Sequence, residues 1–227
     1  MSAVVVTWLA QAGFLVETGG TRVLIDPFLS EHEARRFPPP SPEPYVERID
    51  AVLITHEHPD HYLPDHLRAS DAAVFTIEAV AARIREDAPD VAERVTVVAP
   101  GESFDVGGLP VRAVGERHAV IHPELPRFDN SGYVVTLGET RLYHPGDALT
   151  GPGEDVDVLC LPVSAPWLKV SEAIDFAREV GAPRNLAIHD RVYSEAGLGI
   201  VDGHMQRFLQ PARQRYVRLA DGATLDA

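Results

Sequence analysis

With 227 residues, 24.8 kDa and 45% hydrophobic side chains, the chain holds enough apolar material for one domain with a sizeable core. Its 34 acidic residues against 20 Lys and Arg give a formal net charge of −14, a field that repels nucleic acid and anionic membrane surfaces. One globular unit over 1–227 is therefore expected, with neither nucleic acid nor membrane as a partner. Self-association into a homo-oligomer is left open. The opening "MSAVVVTWLAQAGFLVE" has no basic leader or clear cleavage site, and no later stretch is long and apolar enough to span a bilayer, which points to the cytoplasm. The single cysteine, Cys160 in "VDVLCLPV", has no partner for an internal disulfide and reads as core.

Taken in chain order, "AVVVTWL", "GFLVET", "TRVLID", "AVLIT", "AAVFTI" and "RVTVVA" are short β-branched runs, several bounded by Gly, Pro or Asp, and read as strands. Between the third and fourth lies "EARRFPPPSPEPYVERID", where Pro38, Pro39, Pro40, Pro42 and Pro44 forbid a helix or a central strand. The segment over 35–50 is a stiff loop, either a surface connector or a flap over a pocket. "IEAVAARIREDA" and "VSEAIDFAREVG" carry apolar residues at helical spacing, the second with Val170, Ile174, Ala177 and Val180 along one side. "GLPVRAVG", "SGYVVTL", "TRLYHP", "DVLCLPV" and "NLAIHD" repeat the strand plan in the second half. The pattern predicts an α/β chain of two similar layered halves, with amphipathic helices covering sheets.

The chemistry concentrates in "THEHPDHY", Thr55 to Tyr62, directly after the strand "AVLI". Residues two apart in extended backbone point the same way, so His56 and His58 can converge on one point. Pro59 then bends the chain, and Asp60 and His61 offer a carboxylate and an imidazole to a neighbouring point. A solvated helix start with Asp60 as N-cap is the bland reading, and four ligand-type residues in six positions at a strand end argue against it. Further ligands should sit at other strand ends. His118 after "VRAVGER", Asp147 in "LYHPGDA" and His189 in "NLAIHD" meet that test. Asp26, ending "TRVLID", either supports a ligand imidazole or serves a turn. His122 and His144 lie near these positions in sequence, whereas His32, His66 and His204 have no motif around them and read as surface or helix-end residues.

This ordered set, T-H-x-H-x-D-H with a later His, a Gly-Asp and a final His, resembles the metallo-β-lactamase superfamily over almost the whole chain. The resemblance implies a four-layer αββα sandwich with the site at the seam of the halves. It implies two divalent metal ions, one held by His56, His58 and His118, the other by Asp60, His61 and His189, with Asp147 bridging. Zinc is the first choice, and manganese, iron or nickel suit the same donors. Four positive charges against the two of Asp60 and Asp147 would hold a hydroxide near neutral pH, which makes hydrolysis the expected reaction class. The compact branch that includes ascorbate-6-phosphate lactonase-like proteins is the most similar, through "QAGFLVETGGTRVLIDPFLS", "HPGDA" and "IHD". Expected substrates are small anionic esters, lactones or phosphodiesters, with Asp60 and His122 as catalytic groups and Arg191 as substrate anchor. The competing reading is a non-catalytic, metal-stabilised binding or scaffold protein of the same fold.

Overall fold

The computed structural model describes residues 4–27, 48–220 and 222–226. Most of the Pro-rich segment, and with it the choice between connector and flap, lies outside the described residues, as does His32. The first sheet collects β1 (Val4–Ala10), β2 (Gly13–Thr18), β3 (Thr21–Ile25), β4 (Ala51–Ile54), β5 (Ala73–Thr76) and β6 (Val95–Val97) in sequence order. The second runs from β7 (Ser103–Val106) through β8 (Leu109–Val114), β9 (Gly132–Leu137), β10 (Thr140–His144), β11 (Val158–Pro162) and β12 (Arg184–Ile188) to β13 (Arg215–Val217). The chain's last strand, β14 (Thr224–Asp226), returns to pair antiparallel with β1, so both sheets have seven strands.

Period-two alternation decides which side chains meet. On β1, Val4, Val6 and Trp8 face the second sheet, and with Phe14, Val16, Ile25 and Leu53 they pack against Val111, Tyr133, Val135, Leu142, Cys160, Leu186 and Ile188. Cys160 is buried there and unbridged, as its setting predicts. The alternate residues Leu9, Leu15, Leu24, Val52 and Ile54 face outward under α1 (Pro64–Arg68) and α2 (Glu78–Asp87), which contribute Leu67, Val80 and Ile84. On the far side Tyr143, Leu159, Leu161 and Ala187 meet α3 (Val170–Val180) and α4 (Glu195–Leu209). The molecule is thus an αββα sandwich. Each large side chain fully buried in these layers contributes about 1.5–3 kcal/mol.

Two local readings change. Sequence periodicity assigns no element to 195–209, because Gly197, Gly199 and Gly203 each cost a helix about 1 kcal/mol. The helix forms because Ser194 Oγ accepts the Gly197 N–H at 3.3 Å and Leu198, Val201, Met205 and Leu209 fall on one buried stripe. His66, read as a surface or helix-end residue, does lie in the last turn of α1 but is buried at 3% exposure.

Strands β1, β3 and β4 run in one direction in the first sheet, and β8, β10, β11 and β12 share one in the second. Every candidate residue lies in a segment that leaves the carboxyl end of one of these strands: Gln11, Asp26, Thr55–His61, His118, Asp147, Trp167 and His189. The two sheets are tied together here, with Tyr133 Oη donating to Ile54 O at 2.8 Å and Ser131 N to Thr55 O at 3.1 Å.

Candidate metal centre

The seven candidate ligands come together in two groups, and within each group the donor atoms lie within 4.8 Å of one another: His56, His58, His118 and Asp147 in one, Asp60, His61 and His189 in the other. The octapeptide splits between them because a tight turn, with His61 N and Tyr62 N both donating to His58 O at 2.9 and 2.8 Å, reverses the chain after His58. His56 Nε2 and His58 Nδ1 are 3.0 Å apart. Asp147 stands between the groups. Its Oδ2 is 3.3 Å from His118 Nε2 and 4.0 Å from His56 Nε2, while its Oδ1 is 3.1 Å from His61 Nε2 and 2.6 Å from His189 Nε2.

Three imidazoles have their outer nitrogens committed. His61 Nδ1 donates to Asp26 Oδ2 at 2.7 Å, and His118 Nδ1 to the Ala119 carbonyl at 2.6 Å. His56 Nδ1 meets Thr55 Oγ1 at 3.0 Å, and that hydroxyl donates onward to Asp26 Oδ2 at 2.6 Å. Acceptors on the outer nitrogens leave the inner Nε2 lone pairs facing the centre, as metal-bound histidines require. Asp26, fully buried, thus supports the His61 ring, and it also takes the Thr55 N–H at 2.8 Å from the neighbouring strand end.

The centre is electrostatically suited to cations. Burial and the neighbouring His61 keep His56 well below the usual imidazole range, and burial with His118 pushes His58 down to about 4, so both are neutral donors. Burial alone would raise the Asp60 and Asp147 carboxyls, but the facing His61 and His189 outweigh it and hold both ionised. For His61, burial favours the neutral ring, yet Asp147, Asp26 and Asp60 together drive its proton affinity well up: the carboxylates demand positive charge at this spot. His118 Nε2 and Asp147 Oδ1 are buried and make no well-directed hydrogen bond among the described residues, and His61 Nε2 lies only 3.0 Å from His189 Nε2. Nitrogens and oxygens that converge where the carboxylates favour positive charge fit bound cations. The residues present thus suit the metal ions that the sequence implies.

Several supporting residues carry no sequence signal. Gln11 Nε2 lies 2.9 Å from Asp60 Oδ2 and 3.0 Å from His189 Nδ1, and Gln11 O accepts the His189 N–H at 2.7 Å. Asn130 accepts the Asp147 N–H at 3.0 Å and donates to Pro145 O at 3.0 Å. Trp167 Nε1 donates to Asp147 Oδ2 at 2.9 Å. Three non-glycine residues here, Gln11, Asp26 and His189, adopt left-handed backbone with φ of 53°, 43° and 59°. Such positions cost of order 1 kcal/mol or more each and cluster at functional sites. Only their strand-end positions hint at them in the sequence.

Other candidates lie apart from the donor groups. His144 is buried as a brace, its Nε2 donating to Ala12 O at 2.7 Å and its Nδ1 accepting the Gly146 N–H at 3.2 Å. His122 is exposed in a turn, with Nδ1 accepting the Glu124 N–H at 3.2 Å. The Arg191 guanidinium covers the Trp8 ring at 5.0 Å, and its Nε is 3.7 Å from Asp190 Oδ1.

Two expected results follow from these surroundings. Asp26→Asn would set an amide N–H₂ against donors, so metal affinity should fall about 10- to 100-fold in chelator competition; an unchanged affinity would show that Asp26 serves only to join the two strand ends through Thr55. Asp190, 3% exposed between Arg191 and Arg218, has its carboxyl pushed up from 3.8 to about 6, chiefly by burial and against the pull of both arginines. A raised carboxyl costs stability above pH 6, and that cost fades as pH falls towards 4. Asp190→Asn should therefore stabilise the fold at pH 7 by up to about 3 kcal/mol, with the advantage shrinking towards pH 4 in urea titrations. An advantage independent of pH would refute the assignment.

Comparison with known proteins bears on the family and the fold. A family model described as the beta-lactamase superfamily domain matches residues 5–189. Protein Rv0786c of Mycobacterium tuberculosis is 38% identical over 205 residues, covering 88% of this chain and 90% of its own. The UPF0173 metal-dependent hydrolase MK1542 of Methanopyrus kandleri is 31% identical over 174 residues, 70% of this chain and 72% of its own. The solved structure of the metallo-beta-lactamase fold protein YhfI of Bacillus subtilis aligns over 100% of both chains with a TM-score of 0.75 at 16% identity, a likeness of fold.

Proposed function

This chain belongs to the β-lactamase superfamily, and on that premise we propose that it is a metal-dependent hydrolase with a two-ion centre that cleaves a small ester, lactone or phosphodiester. The observation that carries the two-ion reading is the division of the Asp147 carboxylate, with Oδ2 turned to the His56, His58 and His118 group and Oδ1 to His61 and His189. His56, His58 and His118 would hold one ion, Asp60, His61 and His189 the other, and Asp147 both. Two divalent ions, zinc first among the candidates, acidify water and polarise the scissile oxygen when bound.

The chain's own groups supply the rest. Asp60, ionised and held by Gln11, is the proposed acceptor for the proton of the attacking water. His122 is the proposed donor to the leaving group, with Nε2 as the nitrogen that delivers the proton because Nδ1 accepts the Glu124 N–H. Arg191 is the proposed anchor for an anionic substrate. It lies two residues beyond His189 and keeps 23% of its side chain exposed over the Trp8 ring.

One set of measurements tests the proposal. Elemental analysis of fully loaded protein should give two ions per chain, and chelation should abolish turnover of a panel of lactones, thioesters and phosphodiesters while the fold persists. One ion after reconstitution would refute the two-ion reading, and turnover that survives chelation would refute metal-dependent hydrolysis. Within the panel, His122→Ala should slow alkoxide leaving groups far more than nitrophenolate, and Arg191→Ala should raise KM for anionic but not neutral esters. Equal losses within either pair would remove that residue from its role.

A further inference from the structure

We infer that Trp167 is a positioning residue of the metal centre, its indole N–H setting the rotation of the Asp147 carboxylate so that one oxygen faces each ligand group; this rests on the reading of Asp147 as a ligand to metal. Trp167 belongs to "SAPWLKV", the segment between β11 and α3. Pro166 pre-sets the second position of a turn closed by Leu168 N donating to Ala165 O at 3.1 Å, which leaves Trp167 at the corner. Ala165 and Leu168, 4% and 7% exposed, anchor that turn in the core beneath α3 and α4, so the indole is carried on a fixed base.

From there the Trp167 ring stands edge-on to His118, with centroids 5.8 Å apart and planes at 75°, and Nε1 donates to Asp147 Oδ2 at 2.9 Å. Packing against His118 would be met equally by phenylalanine. The directed N–H is what packing does not require. The terminal torsion of an aspartate is broad, so backbone restraints on residue 147 fix where the carboxylate starts but not how it turns. Asp147 N and O are held by Asn130 Oδ1 and Ala119 N at 3.0 and 2.7 Å, and the indole supplies the missing restraint at the far end. Indole is a donor only and cannot itself ligate a cation, so Trp167 occupies one side of Oδ2 and leaves the other to the His118 and His56 side. Trp8, the other tryptophan of the chain, provides the contrast: its Nε1 is buried without a hydrogen-bond partner among the described residues.

Nuclear magnetic resonance on ¹⁵N-labelled full-length protein, stripped by chelator and titrated with Zn(II), tests the inference. The two indole N–H signals are assigned with Trp167→Phe and Trp8→Phe. The Trp167 signal should shift in step with Zn(II) binding while the Trp8 signal stays in place. In chelator competition Trp167→Phe should bind Zn(II) about tenfold more weakly, with thermal unfolding of the stripped protein unchanged. A Trp167 signal indifferent to Zn(II), or an unchanged affinity in Trp167→Phe, would overturn the inference. If Trp167→Phe fails to fold, the wild-type titration decides alone. Stoichiometry of the wild-type protein judges the two-ion reading separately: a single bound ion refutes that reading, while the Trp167 signal and affinity still report whether the indole holds Asp147 towards the ion. Wild-type protein that binds no Zn(II) overturns both.

Discussion

On the proposed two-ion reading, Asp147→Ala is expected to reduce turnover by about 10³-fold or more and to leave at most one ion per chain. The size of the effect comes from the position of the carboxylate. It is 4% exposed, and its two oxygens lie within 3.3 Å of His118, His61 and His189. Removing it deletes one of the two negative charges that would balance the proposed cations and leaves converging imidazole nitrogens with nothing between them. Asp147→Asn keeps the shape and removes the charge, so it should fold as the wild type does and share most of the loss. The measurements are kcat/KM on any substrate found in the panel and metal content after dialysis. Two tightly bound ions and near wild-type turnover in Asp147→Ala would show that the carboxylate does not bridge.

A second large effect is expected from Gly146→Ala, this time on stability as well as activity. Gly146 has φ of +62°, and a Cβ there would meet Thr55 Cβ and Oγ1 at 2.8 Å and press closer still on Asn130 Oδ1. The left-handed backbone costs an alanine about 1–2 kcal/mol, and overpacking adds about 1–3 kcal/mol. The sum of about 2–5 kcal/mol corresponds to a fall in Tm of roughly 5–15 °C for a domain of this size. Thr55 carries the hydrogen bonds of Asp26 and His56, and Asn130 carries that of Asp147, so the added methyl group displaces both ligand groups at once. Gly138→Ala is the control. Its φ is +65°, but its Cβ would meet nothing within 4 Å, so only the backbone cost should appear and activity should be unaffected. Equal destabilisation in the two variants would mean that the segment around Gly146 yields, and that close packing behind Asp147 does not hold the centre.

The position of the candidate site was legible in the sequence because its candidate ligands are local in one place and regular elsewhere. His56, His58, Asp60 and His61 share one octapeptide, and His118, Asp147 and His189 each follow an apolar strand. Strand periodicity is a property of neighbouring residues, so runs such as "AVLI" and "NLAI" declared themselves, and so did the helices with unbroken apolar spacing. The Gly-containing α4 did not, because its stability comes from packing Leu198, Val201, Met205 and Leu209 against other elements rather than from local preference.

By itself, then, the sequence determined the residue types that can hold a cation and the strand ends on which they stand, since both follow from composition and local pattern. Only the tertiary structure decided which oxygen of Asp147 faces each group and which residues hold the donors there. Gln11 meets His189 across 178 positions, Asp26 meets His61 across 35 and Trp167 meets Asp147 across 20, with no spacing rule connecting any of them. Hydrogen bonds are short-ranged and directional, so such partners exist only once the strand ends have been brought together, within one half for Asp26 with His61 and Trp167 with Asp147, and across the seam for Gln11 with His189.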